Sequence, residues 1–294
     1  MSASARPQVR LPERQESKSA LPAISREALL DQLTQTVSAS RLGCWQQCRL
    51  KFYFRYVLKL LKSPTGSLHF GKVIHAVLQE WNLSRWRKEP FAIARFKRLF
   101  VKNWNEIQAD VLINWEDEEK KQRSSGWAVL QTYFTETPIK ADERPEAVEV
   151  PVEADLARQG LPKLIGIIDL VRAGGRIVDF KTSGKTPDAE KAEHLHETQT
   201  SCYSVLYRDA TGKKESGVEL HHLVKTKVPK LIVTALPPMA SRQETRLFRS
   251  MESFVAGVLA EDFVPSPGLQ CSSCEYFNEC RKWNGRSPDG NRMH

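Results

Sequence analysis

Two short apolar runs, Leu164 to Val171 and Arg176 to Phe180, constrain this chain more than any other feature. Both are rich in Ile and Val and too brief for helices, and Ala173-Gly174-Gly175 separates them. They read as β-strands closed into a hairpin by the two-residue turn Gly174-Gly175. Each run carries charge where a buried strand should be apolar, in Gly166-Ile167-Ile168-Asp169 and in Val178-Asp179-Phe180-Lys181. Alternation puts Asp179 and Lys181 on one face and turns Phe180 towards the core. Two carboxylates converging on a strand pair offer hard oxygen ligands to Mg²⁺ or Mn²⁺. A lysine one pleat away can orient a water or stabilise charge as a phosphodiester is attacked. Taken alone, Asp-x-Lys is weak evidence, because a turn residue and a surface ion pair would leave the same trace.

The surrounding pattern is that of an α/β chain. Helical spacing covers His69 to Arg87, Phe91 to Glu106 and Glu116 to Glu136, and the period shortens to two near Val148, Val150 and Val152. Residues 188–210 look helical, Val218–Lys227 and Leu231–Thr234 look like strands, and Ser241–Glu261 is an amphipathic helix. The chain has 294 residues, enough for one large domain, and no apolar run long enough to span a membrane. Residues 1–35 read as a flexible polar tail, 36–285 as one domain and 286–294 as a second tail. The start lacks the apolar stretch of a secretory signal, so a cytoplasmic location is expected. With 44 Lys+Arg against 35 Asp+Glu the net charge is +9, which favours a polyanionic partner without naming one.

Two further motifs stand in order around the acidic pair. Gly71-Lys72-Val73-Ile74-His75 sets a histidine in an otherwise apolar helix, and Gln199-Thr200-Ser201-Cys202-Tyr203 puts Gln199 and Tyr203 on one helix face. The series Gly-x-x-x-His, Gly-x-x-Asp, Asp-x-Lys, Gln-x-x-x-Tyr resembles the RecB-like branch of the PD-(D/E)XK nuclease superfamily from about Ser38 to Cys280. The resemblance implies a restriction-endonuclease-like α/β core, a mixed central sheet flanked by helices. It implies His75, Asp169 and Asp179 as ligands of Mg²⁺ or Mn²⁺, helped by the Phe180 carbonyl, with Lys181 catalytic. Gln199 and Tyr203 would stand beside the active centre and hold DNA. Glu153 is an additional acidic candidate, although a surface carboxylate on a strand would look the same.

Cys271-x2-Cys274-x5-Cys280 near the end, with Cys44 and Cys48 near the start, reads as metal or cluster ligation in a cytosolic chain. The pattern is similar to the iron–sulfur-stapled relatives, among them the CRISPR-associated RecB-like exonucleases and the nuclease module of the AddB helicase–nuclease subunit. In those the first ligand follows a Ser-x-Ser-x-Leu start, a place that Cys48 fits better than Cys44, although Arg49 stands where the family usually has proline. The resemblance thus implies a 4Fe-4S cluster on Cys48, Cys271, Cys274 and Cys280. The spacing alone would equally suit zinc.

From Arg41 to Lys62 there are six basic residues, no acidic ones and several aromatic rings. This segment reads as an amphipathic helix whose Arg41, Arg49, Lys51 and Arg55 are candidates for DNA phosphates. The rings at helical spacing read as core. His194, His196, His221 and His222 are assigned to solvent or packing, the last two pointing to opposite faces of a strand. Ser183-Gly184-Lys185-Thr186 imitates the end of a P-loop, but Asp179 stands where the motif needs glycine. The resulting expectation is a divalent-metal-dependent DNA exonuclease acting on single-stranded ends or flaps, working with a separate helicase or with CRISPR adaptation proteins. A non-catalytic DNA-binding subunit of the same fold is the alternative.

Overall fold

The computed structural model describes residues 25–106, 113, 115 and 118–285. Residues 1–24 of the first expected tail, all of the second, and the expected helical start at Glu116 lie outside them. The elements in chain order are α1 (Arg26–Gln35), β1 (Thr36–Val37), α2 (Ala39–Gln47), α3 (Arg49–Phe52), α4 (Gly66–Trp86), α5 (Ile93–Glu106) and α6 (Glu119–Glu136). Then come β2 (Ala147–Ala154), β3 (Lys163–Arg172), β4 (Arg176–Ser183), α7 (Ala189–Thr211), β5 (Gly217–Val224), β6 (Lys230–Leu236), α8 (Ser241–Leu259) and α9 (Phe277–Lys282).

The strands form one mixed sheet. β3 pairs antiparallel with β2 and β4 and parallel with β1, β4 runs parallel to β5, and β6 closes the far edge antiparallel to β5. A parallel β4–β5 pair requires a crossover, and α7 supplies it. On one face Leu42, Trp45, Leu206 and Phe254 from α2, α7 and α8 pack with Leu164, Ile168, Ile177 and Leu220. On the other, Ile74, Phe100 and Leu130 from α4, α5 and α6 pack with Leu170, Val178, Phe180 and Leu223. Helices on both faces of the sheet agree with the mixed α/β expectation.

Three local expectations need correction. Residues 26–35 are not tail: Ser25 caps α1 through the Ala28 amide, and Leu30 and Leu33 are buried. Their apolar spacing gives the helix a face to bury, which the polar composition around it conceals. The hairpin turn has three residues rather than two, because Arg172 pairs with Arg176. Gly174 and Gly175 both adopt positive φ there (81° and 72°), which L side chains rarely do. Finally, the basic-aromatic segment is not one helix. Cys48 is extended (φ −167°, ψ 116°), ends α2, and caps α3 by accepting from the Lys51 amide; a π-helical turn follows over Tyr53–Val57.

Candidate metal centre and its polar surround

β3 and β4 are paired only from Leu170↔Val178 to Arg172↔Arg176. The next positions outward are Asp169 and Asp179, so the two carboxylates occupy the point where the strands separate. Asp169 Oδ2 accepts the Phe180 amide at 3.0 Å, satisfying a backbone group that the ladder has released. Phe180 itself is buried against Tyr133, His221 and the His75 ring. This anchors the middle of Asp179-Phe180-Lys181 in the core while its neighbours face the other way.

α4 brings His75 to the same place. Its Nε2 lies 3.0 Å from the Phe180 carbonyl and its Nδ1 3.5 Å from Asp169 Oδ2. From the other side α7 presents Gln199 and Tyr203, one turn apart. Gln199 Nε2 donates to Asp179 Oδ1 at 2.9 Å, and Tyr203 OH donates to the same oxygen at 3.2 Å. Lys181 Nζ lies 2.6 Å from Asp179 Oδ2 and donates to Gln199 Oε1 at 2.6 Å. The structure therefore brings His75, Asp169, Asp179, the Phe180 carbonyl, Lys181, Gln199 and Tyr203 into one cluster. Burial, aided by Asp179 and opposed by His75, pushes the Asp169 carboxyl up. Burial also pushes the Tyr203 phenol up, so this hydroxyl remains a neutral donor.

Sequence reasoning missed Glu149. With His75 and Asp169 it forms a group whose ligand atoms all lie within 4.8 Å of one another, whereas Asp179 is turned to Lys181. Glu149 stands opposite Asp169 at the interior position where the β2–β3 register lapses, with φ of 48°. A positive φ in a strand is strained for any residue but glycine, and such strain gathers at functional sites. The signal was the register itself, since Ala147↔Val171 counts Glu149 onto Asp169. Glu153, the carboxylate weighed from the sequence, is exposed and paired with Lys163 at 2.8 Å.

Burial and then Asp169 push the Glu149 carboxyl from 4.5 up to about 7. An acid raised on folding keeps its proton in the native state after the unfolded chain has released it. This group alone should therefore cost metal-free protein about 1–2 kcal/mol as pH rises from about 4.5 to about 7, after discounting a half-buried side chain for screening. The buried histidines, held below their ordinary value by burial, push the total the other way, so the test is the difference: by melting curves in EDTA across that range, wild type should lose stability relative to Glu149→Gln. A constant difference between the two would remove Glu149 as its source.

The other candidates lie elsewhere. Arg41 donates to the Thr36 carbonyl at 2.6 Å, Arg49 is ion-paired with Asp262, and Lys51 lies 3.2 Å from Glu275. Arg55 is exposed and stands over the Tyr56 ring. Trp45, Phe52, Tyr53 and Phe54 are buried. His221 is buried between Tyr133 and Glu219, while His222 on the opposite face contacts the His196 ring; His194 is exposed. Cys48, Cys271, Cys274 and Cys280 line one small cavity of about 50 Å³. Burial raises the Cys280 thiol, and the other three cysteines add to the effect. Cys44 is buried and does not line that cavity, and burial pushes its thiol up to about 11. Cys202 is fully buried in α7.

No helix among the described residues is long and apolar enough to cross a membrane. No curated protein matches the sequence. A crystal structure of a "Putative exonuclease" from Eubacterium rectale superposes with a TM-score of 0.56 at 12% identity, covering 95% of this chain and 96% of that one. At that identity the likeness speaks to the fold alone. A second structure, that of SSO0001, aligns over 87% of this chain and 93% of its own at 13% identity, with a TM-score of 0.41 that adds no weight. The sequence pattern of the PD-(D/E)XK nuclease superfamily matches residues 36–281, nearly the whole of the described fold. The chain belongs to the PD-(D/E)XK nuclease superfamily.

Proposed function

We propose that the chain is a RecB-like, divalent-metal-dependent deoxyribonuclease that shortens single-stranded ends or flaps. The observation that carries this reading is the meeting of His75, Glu149, Asp169, Asp179 and Lys181 at the split between β3 and β4. A donor set of carboxylates, one imidazole and one backbone carbonyl fits Mg²⁺ or Mn²⁺. Asp179 Oδ2 fits it too, being buried without a hydrogen-bond partner among the described residues and resting against the Lys181 ammonium. His75, Asp169 and Asp179, with Glu149 and the Phe180 carbonyl, would hold the ion. Such an ion supplies Lewis acidity to a phosphodiester and acidifies water.

The chain's own groups do the rest. Lys181 places a positive charge beside the carboxylates, where it can orient the attacking water and stabilise charge growing on the phosphate. Gln199 and Tyr203 fix the Asp179 carboxylate and so fix the lysine that leans on it. In this reading residues 36–285 act as one domain with α1 packed upon it. Its partners in this reading are a separate helicase or CRISPR adaptation proteins.

The four cavity cysteines are the proposed ligands of a 4Fe-4S cluster. What supports this is their meeting at one cavity, one thiol coming from the start of the fold and three from its end.

Anaerobically purified protein should shorten end-labelled single-stranded DNA with Mg²⁺ or Mn²⁺, cut duplex ends more slowly, and do neither in EDTA. Intact DNA of both kinds with either metal would overturn the reading.

A further inference from the structure

An open cleft of about 730 Å³ lies beside the carboxylate cluster, between the outer part of β2–β3 and the start of α2. That volume falls in the roughly 300–1,000 Å³ range of ligand pockets. Gln199 and Tyr203 form its inner wall, and the same two side chains bond Asp179. An occupant of the cleft is therefore one side chain away from the reacting centre. Pro151, Val152, Ile165 and Ile167 supply apolar surface, and no lysine or arginine among the described residues lines it.

Ile167 is the unusual member. It lies inside β3, two residues before Asp169, yet it is 53% exposed while Ile168 beside it is buried. Its cross-strand partner is Pro151 on β2, so the exposed surface continues onto the neighbouring strand. Glycine at 166 keeps the floor close to α7, since a Cβ there would come within 2.7 Å of Leu206. The cleft thus has an apolar wall, a polar inner end and a rim of Ser38, Ser40 and Glu153, whose carboxylate already holds Lys163. Phosphates seek lysine and arginine, whereas the flat face of a nucleobase seeks apolar surface.

Resting on the nuclease reading, we propose that this cleft seats one unpaired base next to the scissile phosphate, with Ile167 as the surface against which the base packs. A base inside a duplex has both faces covered by its neighbours in the stack, so it cannot make this contact. Ile167 would then be a determinant of preference for single strands, acting through shape and apolar contact rather than charge.

The test uses the full chain with Ca²⁺ as the added ion and a short fluorescently labelled oligonucleotide, with binding read by anisotropy and cleavage read separately in Mg²⁺. Ile167→Ala should weaken single-strand binding roughly five- to tenfold by removing apolar contact area, while duplex binding stays unchanged. Ile167→Met should bind like wild type. An abasic residue walked along the strand should cause the same loss at one position on wild type and no further loss on Ile167→Ala, the signature of a shared contact. Wild-type binding by Ile167→Ala, or losses that simply add, would overturn the cleft assignment and leave the nuclease reading standing. Wild-type protein that neither binds nor cuts DNA would remove both.

Discussion

Lys181→Ala should lower DNA cleavage on the order of 10³-fold, the usual scale for a group that orients a nucleophile or stabilises developing charge. The ammonium lies 2.6 Å from both Asp179 and Gln199, and alanine cannot place a charge there. The fold should survive, because Gln199 and Tyr203 still satisfy Asp179 and the Phe180 anchor is untouched. Asp179 is only 2% exposed, so without its ammonium the metal-free variant should melt below wild type. A divalent ion should restore the melting temperature, since it neutralises the same carboxylates, but should leave cleavage lost. This separation of stability from turnover marks a catalytic lysine, and cleavage by the variant at the wild-type rate would remove that role.

The second large effect concerns the cysteine cavity. Residues 26–62 are held against residues 261–279 by Arg26–Glu261, Arg49–Asp262, Lys51–Glu275 and Lys62–Glu279, and by Tyr276 OH donating to the Leu60 carbonyl. These pairs are partly exposed, and surface ion pairs contribute about 0.2–1 kcal/mol each. A cofactor bound to Cys48 and to Cys271, Cys274 and Cys280 closes a loop of more than two hundred residues, a restriction on the order of 5 kcal/mol by the loop-entropy scale. Cys48→Ser or Cys280→Ser should therefore abolish the broad visible absorbance of a cluster and lower stability by about that amount in denaturant titrations. Cys44→Ala should keep the colour. Colourless, zinc-loaded wild type would replace the cluster by zinc, and metal-free wild type would leave four free thiols.

Much of the candidate site was legible in the sequence because its motifs are local. Asp-x-Lys on a strand and Gln-x-x-x-Tyr on a helix each fix two side chains by backbone geometry alone. Glu149 was not legible, because its partner Asp169 is reached only through the β2–β3 register and the local strand pattern gives it no more weight than Glu153. The partners of the basic segment were hidden for a similar reason. Between Arg41 and Lys62 there is no acid, so its cations look free, yet the acids that pair with Arg49, Lys51 and Lys62 stand more than two hundred residues away. The break at Cys48 was hidden too, since apolar residues keep helical spacing on either side of a residue whose backbone is extended.

The central claim is that the imidazole and carboxylates at the β3–β4 split form a divalent-cation site. Titration of Mn²⁺ into metal-free protein at about pH 8, where Glu149 is ionised, tests it most directly. Wild type should show saturable binding coupled to a rise in melting temperature, and Asp169→Asn should lose both while keeping its fold. Equal Mn²⁺ binding by wild type and Asp169→Asn would contradict it.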